Sequence, residues 1–475
     1  MKLPLIASSL VVVAAVTAGG CSSVPREAGF GDVARNVAER TGSRIHWDRG
    51  TRSDAAVAES VGAMLRQELT ADEAVQVALL NNRRLQATYE DLMVAQADLV
   101  SAGLLRNPVF DAEVRFAEGG AGTGLEMALV QDFLDLFYIP LRKRQAGSAF
   151  EAAKLRVSGA VIDLAAEVRA AFHTFQASQQ TLEMRRQVVA ATGASYDLAR
   201  RLRAAGNISE LDLANEQALS EQSKLDLRAA EAETVHDRER LNRLMGLWGD
   251  ASAAWTAAAR LPEVPAEEVA AEGLERRAVE RSLDLRAASM EVQIAGRSVG
   301  IATPLGLLPE AEIGISAERE PGGDWAAGPA FSLPIPLLNQ GQPAVAGARA
   351  ELRRARQRYA ALAVDVRSRA RAAREAVAAA REQAEYYRSV VLPLRQKIVE
   401  QTQLQYNAMQ IGPFQLLLAK QQQIDAGTAY IRSLRAYWLA RTQLDQLLQG
   451  RLPPSEAAAA EPSSSSTPAA GRGGH

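Results

Sequence analysis

In the stretch RAAGNISELDLANEQ, Glu210 and Asp212 closely follow a glycine turn. Carboxylates set in a narrow passage favour cations through their field alone, so both are candidate pore-lining groups. Little else in the chain suggests chemistry. Its histidines, His46, His173, His236 and His475, lie far apart and form no ligand-spaced cluster. His173 falls within a heptad helix and reads as a packing residue. No HExxH, CxxC, P-loop or dinucleotide motif occurs. The residues imply no enzyme, no cofactor and no metal centre. Lys and Arg number 54 against 56 Asp and Glu, for a net charge of -2, which gives no footprint for nucleic acid.

Cys21 is the only cysteine, so an internal disulfide is impossible. It closes MKLPLIASSLVVVAAVTAGGC, where Lys2 precedes an apolar run of roughly 14 residues, too short to span a bilayer comfortably. Ala18, Gly19 and Gly20 then lead into the cysteine. The pattern resembles a bacterial lipoprotein signal, with residues 1–20 removed and Cys21 lipidated, although Ala18 stands where the pattern prefers Leu. Ser22 follows in place of the Asp that retains lipoproteins at the inner membrane, which favours the outer membrane of a Gram-negative cell. Residues 21–68 read as a lipidated periplasmic segment, and residues 451–475, rich in Pro, Ser, Ala and Gly, as a disordered tail.

Between these ends the elements recur. NRRLQATYEDLMVAQADL aligns with SLDLRAASMEVQIAGRSV, Ile139-Pro140-Leu141 with Ile335-Pro336-Leu337, and Gly206 with Gly412. Residues 69–250 and 251–450, the latter with a linker, therefore read as two repeats. Each runs helix, strand, loop, strand, long helix, glycine break, helix. Val161, Val168, Phe175, Leu182, Val189 and Tyr196 recur every seven residues, and Ala373, Val377, Ala380, Ala384, Tyr387, Val391, Leu394 and Ile398 step by fours and threes. Both are coiled-coil seams. From Leu141 to Ala205 is about 65 residues, or roughly 100 Å of helix. Pro393 is expected to kink or interrupt the second long helix. Thr70 and Glu73 read as a capping box.

The strands alternate with period two. Phe110, Ala112, Val114 and Phe116 form one apolar set, and Leu125, Met127 and Leu129 a second. Ala311, Ile313, Ile315 and Ala317 form a third, and Trp325, Ala327, Pro329, Phe331 and Leu333 a fourth. Such strands suit a membrane barrel, apolar outside and polar within. Four strands cannot close a barrel, and lipid tolerates no open sheet edge. Two copies give eight strands, whose interior fills with side chains; three give twelve, about where a lumen begins. The expected fold is mainly α with a membrane β part: a long α-helical coiled-coil barrel joined to a shared 12-stranded β-barrel in a homotrimer.

With those features the chain resembles the TolC-like outer-membrane efflux proteins over nearly all of residues 30–450. The carrying stretches are LTADEAVQVALLNNRRLQATYEDLMVAQADLVSAGLLRNPVF, FSLPIPLLNQGQ, AAGNISELDLANEQ and YNAMQIGPFQLLLAKQQQID. GDVARNVAERTGSRIHW looks like the lipidated branch found beside heavy-metal and multidrug pumps. The resemblance implies a passive exit duct of a tripartite efflux system. Its partners would be a periplasmic adaptor and an inner-membrane pump of the RND type.

By the same resemblance, the hairpin tips Gly206, Asn207, Ile208, Ser209, Gly412, Pro413 and Phe414 would meet the adaptor. Glycine at 206 and 412 would supply the positive φ at which each long helix reverses. Glu210, Asp212, Met409, Leu418 and Gln421 are gate or pore candidates. Asp212 matches the acidic side of an ionic lock, whereas the second hairpin is apolar or neutral, so an apolar constriction at Phe414 or Leu418 is the alternative. Two other readings remain open: a lipid-anchored periplasmic adaptor, and a structural coiled-coil envelope protein, which leaves the strand alternation unexplained. The exported compound is not encoded in these features; a heavy metal is suggested by the branch resemblance alone.

Overall fold

The computed structural model describes residues 23–116, 123–268, 272–307, 311–320, 323–333, 335 and 337–453. Cys21, the signal segment, Pro336 and most of the expected tail lie outside the described residues. The chain divides into two compact units, one of residues 1–39, 84–160 and 283–363, the other of residues 40–83, 161–282 and 364–475. Each draws on both sequential halves, because the long helices run through both units.

The first unit is built on a four-stranded antiparallel sheet. Its strands are β2 (Val109–Phe116), β3 (Thr123–Asp132), β5 (Glu312–Arg319) and β6 (Trp325–Ser332), in the order β2-β3-β5-β6. Register keeps the apolar sets on one face: Phe110 pairs with Leu129, Leu129 with Ile315, and Ile315 with Pro329. These residues, with Val114, Phe116, Ile313, Trp325 and Phe331, leave a broad apolar face exposed. Such a face in one chain needs lipid or protein against it. Two ends of the expected alternation shift. β5 begins at Glu312, so Ala311 is a buried residue whose carbonyl accepts from Phe133 N–H, and Leu333 falls just past β6.

The opposite face is polar. Glu113, Glu126 and Glu318 stand in one rung across three strands. Arg115 lies among them, 2.9 Å from Glu113, 2.8 Å from Glu126 and 3.9 Å from Glu318. In the same unit, α1 (Phe30–Thr41) is held by Phe30 edge-on to Tyr89 of α4 (Arg83–Ser101), ring centroids 5.1 Å apart, and by Asp32 accepting from Lys154 at 2.8 Å. Lys154 belongs to α5 (Asp135–Ala204), a 70-residue helix that begins six residues before Leu141 and carries Pro140 within its N-terminal part.

The second unit begins with α2 (Arg52–Leu65), β1 (Glu68–Leu69) and α3 (Ala71–Asn81). The expected box caps α3: Thr70 Oγ1 accepts from Glu73 N–H, and Glu73 accepts from Thr70 N–H. Asn82 closes the other end by donating to Leu244 O at 2.7 Å, in α6 (Glu210–Met245). After α6 come α7 (Ala251–Ala254) and β4 (Thr256–Ala257), which pairs in parallel with β1. The second half continues as α8 (Leu274–Arg281), α9 (Leu283–Leu307) in the first unit, and α10 (Gln342–Tyr386). A π-helical turn (Tyr387–Val391), α11 (Leu392–Asn407) and α12 (Pro413–Leu448) complete the order.

Along α5 the seam residues Val161, Val168 and Phe175 are fully buried, while Leu182, Val189 and Tyr196 are half-buried. In α10 the seam is carried by Val366, Ala370, Val377 and Ala384, but Leu394 in α11 is exposed. Small residues bring α5 and α6 close enough for a Thr192–Ser223 hydroxyl pair at 2.8 Å. Pro393 does interrupt the helix, but without breaking it. The preceding turn widens to π geometry, with Leu392 N–H reaching back to Tyr387 O, and so accommodates a ring that the α ladder would exclude.

Trp255, 0% exposed, anchors the region after α6: Nε1 donates to Asn242 at 2.8 Å, and the ring meets Phe175 edge-on at 5.2 Å. Trp255→Ala should lower the unfolding free energy by about 3–5 kcal/mol, read as a large drop in the denaturation midpoint. His173 is 4% exposed, stacked on Trp438 at 4.9 Å. Burial first, then the nearby Arg169 charge, push its pKa down to about 4 from 6.5, against an opposing Gln176 hydrogen bond. The unfolded chain therefore takes up a proton near pH 6.5 that the folded chain refuses until about 4. Stability should fall as pH drops through that window, and denaturation curves of His173→Gln should fall less steeply there.

Candidate functional site

The two helical reversals lie in the second unit, and local bonding explains each. At the first, Asn207 N–H donates to Leu202 O and Gly206 N–H to Arg203 O. That pair is a Schellman cap, which requires a left-handed residue between helix and loop; Gly206 provides it at φ +78°. Ser209 then caps α6 and exchanges bonds with Asp212, accepting from Asp212 N–H while the carboxylate accepts from Ser209 N–H, both at 3.1 Å. Glu210 pairs with Arg203 at 2.9 Å. Both acidic gate candidates thus have partners within their own hairpin, and Ile208 is half-buried.

The second reversal corrects the sequence expectation. The same cap recurs as Gln410 N–H to Gln405 O and Met409 N–H to Tyr406 O. The left-handed residue is therefore Met409, at φ +56°, and not Gly412. Gly412 has φ -83° and serves as the N-cap of α12, with Pro413 in its first turn. The structural counterpart of Gly206 is Met409, and that of Ser209 is Gly412. The alignment of glycine with glycine slipped because the cap is specified by backbone bonds, which any residue can make at a conformational cost. Met409 is also 93% exposed, so burial of its side chain does not offset that cost.

Phe414, Leu418 and Gln421 follow at helical spacing on one exposed face of α12, with Phe414 59% exposed, while Leu416 and Leu417 turn inward. The two hairpins meet across a cleft of about 70 Å³, lined by Ile208, Asp212 and Glu216 on one side and by Tyr406, Pro413 and Lys420 on the other. One shielded carboxylate oxygen of Glu216 has no hydrogen-bond partner among the described residues. Sequence reading overlooked Glu216 and Lys420; a signal was available in Glu216 lying one turn beyond Asp212.

The caps predict opposite effects. A Cβ at Gly206 would meet nothing within 4 Å, so Gly206→Ala should cost only the left-handed penalty, about 1–2 kcal/mol. Met409→Gly should stabilise its tip by about 1 kcal/mol. Hydrogen exchange of the tip amides, faster in the first variant and slower in the second, checks both.

Against known proteins, residues 74–247 match the family model described as outer membrane efflux protein. The matched span runs from α3 through β2, β3 and the first helical reversal to the end of α6. The chain is 24% identical over 388 residues to the cobalt-zinc-cadmium resistance protein CzcC of Cupriavidus metallidurans, covering 80% of this chain and 90% of that protein. Among solved structures, the CmeC outer membrane channel of Campylobacter jejuni superposes with a TM-score of 0.68 at 16% identity, over 93% of this chain and 94% of that one. A membrane protein from Pseudomonas aeruginosa gives 0.66 at 19% identity, over 80% and 93%. Over residues 74–247 the chain carries the signature of the outer membrane efflux protein family, and over most of its length it has the fold of solved outer-membrane channels.

Proposed function

We propose that this chain is the outer-membrane exit duct of a tripartite efflux system, acting as a homotrimer. The observation that carries the reading is the four-stranded sheet with one apolar and one polar face. The outer edges of β2 and β6 have no partner strand among the described residues. Pairing β6 of one copy with β2 of the next satisfies those edges, and three copies make twelve strands. The apolar face then meets lipid and the rung of Glu113, Glu126 and Glu318 faces the passage.

The likeness to a protein named for cobalt, zinc and cadmium resistance supports divalent metal cations as the exported class. Carboxylates facing the passage favour the same sign of charge. Conduction is passive; an inner-membrane pump supplies the energy, and a periplasmic adaptor binds at the tips formed by residues 206–209 and 409–414. Cys21 carries the lipid that tethers the chain to the membrane, and Phe414 and Leu418 contribute an apolar constriction at the periplasmic mouth. No step of catalysis is assigned to the chain.

Light scattering on the detergent-purified, signal-processed protein, with detergent mass subtracted, should give three chains per particle. In planar bilayers the trimer should conduct and prefer cations, and replacing Glu113, Glu126 and Glu318 together by Gln should weaken that preference. A stable monomer that needs no detergent would refute the duct.

A further inference from the structure

The pleat of the four-stranded sheet sorts its charges. Six acidic residues, Asp111, Glu113, Glu126, Asp132, Glu312 and Glu318, fall on the polar face, and among the described strand residues Arg115 is the one basic residue there. Arg319, the other arginine of the strands, shares the parity of Ile313 and Ile315 and donates to Gly323 O of its own turn at 3.3 Å. Glu113, Glu126 and Glu318 stand directly opposite one another across β2, β3 and β5, with Ala326 completing the rung on β6. The rung beside it holds only short side chains, Asp111, Ala128, Ser316 and Gly328. Like charges directly opposed destabilise a sheet, so the glutamate rung needs a cation.

Arg115 supplies it. Its Nε lies 2.9 Å from Glu113, one terminal nitrogen lies 2.8 Å from Glu126, and the other 3.9 Å from Glu318. A planar guanidinium carries five N–H donors in a fixed fork, so it can serve several carboxylates at once. All of these contacts lie within one chain. Closing the barrel through β6 of the next copy would bring no rival, because β6 reads WAAGPAFS and carries no charged residue. Three carboxylates and one guanidinium leave the rung a net charge of -2 per chain.

We propose that Arg115 is the resident counter-cation of this rung and the residue that sets its ion selectivity. The guanidinium occupies the position between the carboxylates that a passing cation would take. The rung still attracts cations through its net negative charge, but a divalent ion must displace Arg115 to be held. A passage conducts only when an ion binds strongly enough to enter and weakly enough to leave. A tethered competitor meets the second condition, because its effective concentration at the rung stays high after each displacement. The selecting role rests on the duct reading, since only a passage gives the rung ions to sort; the competition between Arg115 and a cation for the carboxylates does not.

The test uses the signal-processed trimer in planar bilayers with KCl, and Cd²⁺ as the divalent probe. Arg115→Gln should raise the K⁺ to Cl⁻ permeability ratio by about two- to fivefold. Cd²⁺ should block that variant at a concentration roughly tenfold below the one that blocks the wild type. Arg115→Cys separates charge from packing. A positively charged methanethiosulfonate reagent should return both readings toward wild type, and a negatively charged one should drive them further away; the wild type, whose only cysteine is Cys21, is the reagent control. Equal ratios and equal block in wild type and Arg115→Gln, or reagents of opposite sign acting alike, overturn the proposal. Equilibrium dialysis of the detergent-purified protein against Cd²⁺ needs neither a current nor an Arg115 variant. Wild type should take up no more Cd²⁺ than the chain with Glu113, Glu126 and Glu318 all replaced by Gln, because the rung is already filled, and excess uptake by wild type overturns the proposal. A wild type that passes no current fails the duct reading alone, and dialysis of wild type beside Arg115→Gln, which should take up more, then decides the competition.

Discussion

A strand at the edge of a sheet presents a row of backbone donors and acceptors, and in hydrocarbon those groups have no water to fall back on. In this chain the constraint falls on the outer edges of β2 and β6. Everything else about the sheet is locally satisfied: three antiparallel ladders in register, one apolar face, and one polar face whose carboxylates share Arg115. Among the described residues, only those two edges are left without a partner strand. The long helices inherit the consequence, because each joins a strand of this sheet to a helical reversal.

The sequence made the strands legible because their period is two and their apolar residues are large. Phe110, Leu129, Ile315 and Phe331 fall on one face with no ambiguity about phase. Thr70–Glu73 was legible for a different reason, since a capping box is written in side-chain atoms. The left-handed residue at the second reversal was not, because its bonds belong to the backbone and the residue there is Met409. A nearby glycine drew the assignment to itself. The π turn was half legible: Pro393 marked the disturbance, but whether a helix breaks, kinks or widens depends on packing that the residue alone does not specify.

The region between the halves was the least legible. Residues 256–268 have no periodicity and two prolines, Pro262 and Pro265, and read as a linker. Yet Leu261 is buried, and Trp438, Tyr437 and Arg441 bond to the segment from α12. A strap of this kind is built from backbone carbonyls meeting side chains distant in sequence, so no local pattern announces it. Upstream of α3, residues 30–65 carry α1 and α2, and the short strand β1 that follows pairs with β4 across some 190 residues of sequence, which no local pattern announces either.

Burial along the long helices is graded, and the grading has a mechanical meaning. Around the strap, Phe175, Ala177, Ala384 and Leu434 are packed to near-zero exposure, and loosening them costs about 1.5–3 kcal/mol for the Phe and the Leu and about 0.8 kcal/mol for each alanine. Toward the tips the seam becomes half-buried, α11 has no buried residue, and the links are exposed polar pairs worth a fraction of that. A chain arranged this way yields first at its tips and last at its belt. A displacement of a tip is then taken up against a fixed anchor at the strap, whereas a uniformly loose bundle would spread the same displacement over its whole length.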